Sequence, residues 1–306
     1  MSHPRDPGGD SPRLGVGLIY TIAADSFARQ AGALDYWAIT PDMFWTDAGP
    51  AANPASRFAE MPRWVVALEE AAEHTPIVAH HIGLSLASTI APDPGYLAQL
   101  ESWRKRWRYP WLSDHLSFAM VDGPTGAGSA GIALPVPCDE EVLSLVAERV
   151  AAVMELTGRP FLVENPAYYI RYGEEEMTDA EFLNRLCDRT GCGLLLDLHN
   201  LHCNSTNLGF DAREWLAALD LTKVVEIHIA GGAWIADVWA DSHAGPCPEA
   251  VWGLLDHVLP HCPNVRGITF EFHDSWFHTL GNDGLGGQIS RARDAWAYHV
   301  ARRAAV

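Results

Sequence analysis

Residues 193–197 read GLLLD, and the fold turns on how that stretch is understood. A glycine and three leucines form a short continuous apolar run, the pattern of a strand buried on both faces. Asp197 then closes the run with a charge, which is costly to bury unless it is paired or bound to a cation. The same phrase recurs outward along the chain. It appears as PIVAH (76–80), PWLSDH (110–115), FLVEN (161–165), VVEIH (224–228) and GITFE (267–271). Six apolar runs thus end in Asp, Glu or His. Such a repeat is expected where one cation collects the ends of several strands.

Two further apolar runs, 15–20 and 36–40, precede these, and the candidate strands become 15–20, 36–40, 76–80, 110–114, 160–164, 193–197, 224–229 and 267–272. Helical patterns fall between them near 24–32, 63–73, 94–107, 139–157, 178–188, 211–219, 248–259 and 287–304. Thr178 with Glu181 reads as a capping box, and Pro248 suits a first helical turn. Leu143, Val146, Val150, Val153 and Met154 approximate one apolar helix face. Eight strand–helix alternations in 306 residues predict an α/β protein, a (β/α)8 TIM barrel whose chemistry lies at the C-terminal ends of its strands. A doubly wound open sheet is the alternative, but no Gly-rich phosphate turn follows the first strand. Residues 1–13, polar and rich in Pro and Gly, are expected to form a disordered tail, and 14–306 a single catalytic domain. The Gly/Pro-rich segment 119–137 reads as a mobile lid or a plain surface insertion.

Acidic residues outnumber basic ones, 39 to 21, for a formal charge of −18. That balance argues against a nucleic-acid partner, which needs clustered Lys and Arg. No stretch has the length of a membrane span, and the N-terminus lacks the apolar core of a signal peptide. The six cysteines form no CxxC pair and are expected to be reduced in a cytoplasmic protein; Cys203 lies near the polar cluster. Arg104, Lys105, Arg106 and Arg108 read as a solvated helix face. Trp45, Trp234, Trp239 and Trp276 fall on loops expected at the barrel mouth, where they serve substrate binding or packing.

Carboxylates and neutral imidazoles are ligands for iron, manganese and zinc. The candidate set is His80, His115, Glu164, Asp197 with Asn200, His228, Asp241 with His243, and Glu271. A turn after the strand would aim Asp197 and Asn200, three apart, at one cavity. Asp241 and His243, two apart, would share a side of an extended segment. Asp114 reads as support for His115, and His81, His199, His202 and His273 as neighbours with supporting or substrate-facing roles.

In order and type these residues resemble the trinuclear site of the xylose-isomerase-like barrels, such as endonuclease IV. The flanking motifs HHIGLSLAS, LSDHLSF, VENPAYY, LLLDLHNLHCNSTNLGFD, EIHIAGG, DSHAGPCPEAVW and TFEFHD resemble another branch of that superfamily more closely. This branch is the multinuclear non-heme iron-dependent oxidative enzymes, which include methanobactin-biosynthesis oxidases. The resemblance implies two or three iron ions and O2 as co-substrate. Glu164 would bridge two irons, His80 and His115 completing the first site and Asp197, His228 and Glu271 the second. Asn200, Asp241 and His243 would hold a third, labile metal. Around Glu164, the residues Asp114, His199 and His273 would support the reaction. The implied substrate is a peptide, chiefly a cysteine residue of a ribosomally made precursor, or a small cysteine-like molecule, in some members presented by a partner protein. Two alternatives stand beside it: a zinc- or manganese-dependent phosphodiesterase or sugar isomerase on the same barrel, and a metal-binding accessory protein. The chain departs from the family pattern at Thr40-Pro41-Asp42-Met43, where a His-Pro-Glu-Asn-like stretch is usual, and at His81, where Gly is common.

Overall fold

The computed structural model describes residues 6–24, 27, 32–49, 52–53, 57–123, 126–173 and 175–304, with backbone alone for 122–133. Eight parallel strands close into a barrel: β1 (Gly15–Ile19), β2 (Tyr36–Ile39), β3 (Ile77–His81), β4 (Leu112–His115), β5 (Phe161–Glu164), β6 (Gly193–Asp197), β7 (Val224–Ala230) and β8 (Gly267–Glu271). Each pairs with its sequence neighbours, and β1 pairs with β8. The expected (β/α)8 barrel is therefore present, and all eight strands lie where the apolar runs placed them. Among the described residues the α-helices are α1 (Pro62–Ala72), α2 (Pro94–Trp107), α3 (Glu140–Thr157), α4 (Asp179–Thr190), α5 (Leu198–Leu208), α6 (Ala212–Ala218), α7 (Glu249–Val258) and α8 (Phe277–Ala304).

Alternation along the strands splits the core in two. Tyr36, Ala38, Val78, Trp111, Leu162, Leu195 and Val225 form one cluster. A larger cluster packs the other strand faces against the helices, where Leu143, Val146, Val150 and Val153 of α3 are buried as their spacing predicts. Tyr36 is accommodated by two glycines: a Cβ on Gly17 would lie 2.6 Å from its ring, and one on Gly267 2.5 Å from its hydroxyl.

Several expectations need correction. Residues 6–13 are not a free tail. Pro7 and Gly8 are buried, Asp6 pairs with Arg266, and Ser11 Oγ donates to the Pro110 carbonyl at 2.9 Å. The segment packs against the N-terminal ends of the strands, and its Pro and Gly fit the close approach to Gly193 and Val225. Segment 119–137, read as a lid or a surface insertion, is largely an antiparallel hairpin, Phe118–Gly123 with Gly126–Leu134. Helix α5 was not expected; it starts directly at the end of β6, with Asp197 as its N-cap. The last helix begins ten residues earlier than its pattern, at Phe277, and is broken at Gly281 (φ 56°). The helix expected at 24–32 falls largely outside the described residues, after a short 3-10 turn at Ile22–Ala24.

Candidate metal centre

The polar strand ends converge because period-two alternation turns them inward at the same level of the barrel. The β4–β5 register sets His115 beside Glu164, and the β6–β7 register sets Asp197 beside His228. Between Leu194 and Leu195 the β7 register skips Val225; beyond the skip the register is regular, and Glu226 and His228, two apart, share a face. His80, Glu164, Asp197, Asn200, His228 and Glu271 are buried, while His115, Asp241 and His243 are half-buried toward the mouth.

Three groups of side chains present donor atoms within 4.8 Å of one another: His80, His115 and Glu164; His80, His228 and Glu271; and Glu164, Asp197 and His228. Glu164 belongs to two of them. Its Oε2 lies 3.1 Å from His80 Nε2 and 3.2 Å from His115 Nε2. His228 Nδ1 lies 3.1 Å from Glu271 Oε1, and His243 Nε2 sits 3.0 Å from Asp241 and 3.3 Å from Glu271. Asp197 and Asn200 occupy the first turn of α5, where the Asn200 amide N–H donates to Asp197 Oδ1 at 2.6 Å. The Asn200 side-chain amide donates to Glu164 Oε1 at 3.1 Å and to the Asn165 carbonyl at 3.2 Å, which leaves its Oδ1 free. Asp241 and His243 do not lie on an extended segment. The backbone turns back at His243 (φ 48°), and this positive φ, rather than strand alternation, puts the imidazole against Asp241.

Among the described residues, four buried atoms in this cluster have no well-formed hydrogen bond: Asp197 Oδ2 and Asn200 Oδ1, and Glu164 Oε2 and His228 Nδ1, whose contacts are with other members of the cluster. Buried polar atoms are ordinarily satisfied, and these four belong to residues whose side chains converge. Their chemistry, carboxylate and amide oxygen with imidazole nitrogen, is that of a site for iron, manganese or zinc. The electrostatics agree. Burial raises the Asp197 carboxyl well above its ordinary range, and Glu164, Glu271 and Asp241 add to the shift. Burial works against protonation of His115 and His243, yet their carboxylate neighbours push both up to about 10. Protons substitute for missing positive charge, so the donor set fits a bound cation.

Three of the residues singled out for catalysis stand outside these groups. Asp114 is buried behind His115; its oxygens accept from the Leu84 amide at 3.0 Å and the His115 amide at 2.6 Å. His199 lies behind Asp241, with Nδ1 3.0 Å from Asp241 Oδ1 and Nε2 accepting from Trp239 Nε1 at 3.2 Å. His273 is exposed at the rim, where its Nδ1 accepts from the Ser275 amide. Sequence reasoning missed three supporting residues. Ser113 Oγ meets His80 Nδ1 at 2.9 Å, Asn165 clamps both backbone polar groups of Asp197 at 2.9 Å, and Glu226 Oε1 lies 3.3 Å from His228 Nε2. Glu226 was visible two residues before His228, on the same face if the strand is regular there, while Ser113 and Asn165 carried no signal.

A cavity of about 280 Å3 opens onto His80, His115, His243 and Glu271, with Tyr20, Met43, Phe44, Trp64, Ile82 and Phe272 among its walls. Ile82 also borders a larger cavity of about 610 Å3, walled by Trp45, Phe58, Tyr96 and Met120. Trp234 is 60% exposed on the hairpin Ala233–Ile235 with Val238–Ala240, Trp239 packs on His199 and His202, and Trp276 packs partly buried against the core. The basic cluster on α2 is ion-paired, Arg104 and Lys105 with Glu101 and Arg106 with Glu60 and Glu69. All six cysteines are buried and unbridged, and Cys203 Sγ is 3.8 Å from His199 Nε2. Among the described residues no helix is long and apolar enough to cross a membrane.

The family model described as RiPP precursor modification enzyme MbnB/TglH/ChrH matches residues 13–279. A UPF0276 protein of Caulobacter vibrioides is 35% identical over 184 residues, 60% of this chain and 64% of that protein, so the match spans less than two thirds of that relative. A UPF0276 protein of an Anaeromyxobacter species is 34% identical over 225 residues, 74% of this chain and 77% of its own. Among solved structures, endonuclease IV from Thermus thermophilus superposes with a TM-score of 0.53 at 20% identity, over 94% of this chain and 99% of that one. D-allulose 3-epimerase from a Methylomonas species, in complex with D-allulose, gives 0.54 at 14% identity, over 93% and 98%. At these identities the structural likeness is one of fold.

Proposed function

This chain belongs to the MbnB/TglH/ChrH family of RiPP precursor modification enzymes, and on that premise we propose that it is a multinuclear non-heme iron enzyme that uses O2 to oxidise a cysteine residue of a ribosomally made peptide. The observation that carries this reading is the convergence of buried donor atoms: Asp197 Oδ2 and Asn200 Oδ1 have no hydrogen-bond partner among the described residues, and Glu164 Oε2 and His228 Nδ1 meet only other candidate ligands. His80, His115 and Glu164 would hold one iron; Glu164, Asp197, His228 and Glu271 a second; Asn200, Asp241 and His243 a third. Bound iron supplies the redox chemistry and Lewis acidity that these side chains lack.

The protein's own part is placement. Ser113 meets the His80 ring from behind, Asp114 accepts from the His115 amide and lies 3.7 Å from its Nδ1, and His199 holds Asp241. Asn165 and Asn200 hold Asp197 and Glu164. The mouth cavity has room for a side chain and a short length of peptide but not for a folded partner, and its apolar walls limit water near the donors. Among the described residues its lining includes no Lys or Arg, which suits a thiol better than a phosphate ester.

Anaerobic purification, metal counting, and Mössbauer or EPR spectra with and without O2 test the proposal. Two or three irons with a mixed-valent signal are expected. Zinc alone, with phosphodiesterase activity that persists without O2, would replace it with the hydrolase reading. Glu164→Ala should lose two metals and Asn200→Ala mainly the third; equal retention in both variants contradicts the bridging role.

A further inference from the structure

Below the strand-end cluster, inside the barrel, Glu226 is 1% exposed and ringed by donors. Its Oε2 accepts from Trp111 Nε1 at 2.6 Å. Its Oε1 accepts from Thr269 Oγ1 at 2.6 Å and from the Tyr36 hydroxyl at 3.2 Å, and His228 Nε2 stands 3.3 Å away in hydrogen-bond geometry. The donor inventory settles who gives each proton. An indole N–H only donates. Thr269 gives its single proton to Oε1, and Tyr36, 2.6 Å from Thr269 Oγ1 and 3.2 Å from Oε1, shares its one proton between those two acceptors. A carboxylate has no proton to return, so the hydrogen between Glu226 and His228 must come from the imidazole.

We propose that Glu226 is a positioning residue that holds His228 with its proton on Nε2, so that His228 ligates metal through Nδ1. This rests on the metal reading of the strand-end cluster. It accounts for the two sides of the ring: Nε2 faces Glu226, a carboxylate outside the ligand set, at 3.3 Å, whereas Nδ1 faces Glu271, itself a candidate ligand, at 3.1 Å. A glutamine of the same shape would fail. Turned one way, its amide N–H groups would face the Trp111 donor. Turned the other way, they would face His228 Nε2 and force that nitrogen to accept, which moves the ring proton to Nδ1, where the metal should bind.

The test compares wild type with Glu226→Gln, using long-range 15N–1H correlation of the histidine rings and zinc titration. In wild type loaded with zinc, Nε2 of His228 should carry the proton and Nδ1 the metal. In Glu226→Gln the proton should sit on Nδ1, and zinc affinity at this position should fall about 10–100-fold. Tyr36→Phe, which keeps the carboxylate, should leave both readouts as in wild type. If Glu226→Gln does not fold, the wild-type spectrum alone decides, because zinc bound through Nε2 overturns the proposal. If the wild-type protein takes up no zinc or iron, the metal reading fails, and the metal-free spectrum still discriminates. A protonated Nε2 on His228 then supports the Glu226 role, and an unprotonated one overturns it.

Discussion

At the residue scale, the most informative groups are those whose chemistry is incomplete. Two departures from the family pattern turn out to be one: Asp42 Oδ2 lies 3.3 Å from His81 Nδ1, and the Tyr96 hydroxyl donates to Asp42 Oδ1 at 2.7 Å and lies 3.1 Å from the same imidazole nitrogen. The chain names each residue, but their contact depends on how the turn after β2 meets the end of β3. Away from the mouth, His299 on α8 is buried near Arg303 and Arg13. Burial first, then these cations, pull its imidazole down to about 4. An unfolded histidine titrates near about 6.5, so between these values the unfolded chain binds more protons. The stability from a neutral His299 is therefore complete above about pH 6.5 and is lost as pH falls toward about 4. Replacing His299 with Leu should remove about 1–2 kcal/mol of that acid-side decline, after allowance for solvent screening. Urea unfolding of both proteins at neutral and mildly acidic pH checks this; parallel pH slopes refute it.

At the element scale, the loop between β3 and α2 has little regular structure, yet it walls the larger cavity. Its backbone is held from outside. Arg149, buried on α3, donates to the carbonyls of Leu86 at 3.0 Å and Ile90 at 3.1 Å, with a longer contact to Ser85. Ser85 Oγ accepts from the Ala119 and Met120 amides, tying the hairpin to the same loop. Arg149→Leu strips these donors from buried carbonyls and should cost about 2–4 kcal/mol. Amide exchange should speed up first in residues 82–93, ahead of the barrel strands; uniform loosening of the whole protein would refute a local role. The strands were legible because each is a short apolar run with a polar end. Helix α5 was not, since Asp197 ends a strand and caps a helix at once, which leaves no loop to mark the boundary. The hairpin at 118–134 was hidden by its glycines, which read as a loop.

At the scale of the whole molecule, the donor cluster draws on β3 to β8, so a bound cation would cross-link the closed barrel. Any ligand that binds only the folded chain stabilises it, by about 2.7 kcal/mol at a hundredfold excess over Kd. Removing metal with a chelator under anaerobic conditions should therefore lower Tm by several degrees, and ferrous iron should restore it. An unchanged Tm measured by calorimetry would count against metal at this site.

Read alone, the chain determined the alternation of strands and helices, the closed barrel they imply, and the polar residue types at the strand ends. These are local properties, written in hydrophobic period and run length. Which polar groups face one another was decided only by the tertiary structure. His199 turned behind Asp241, His273 stayed on the rim, and Glu226 came under His228. The physical reason is that facing depends on barrel closure, which brings together side chains as far apart as Tyr36 and Glu226, and on one left-handed turn at His243.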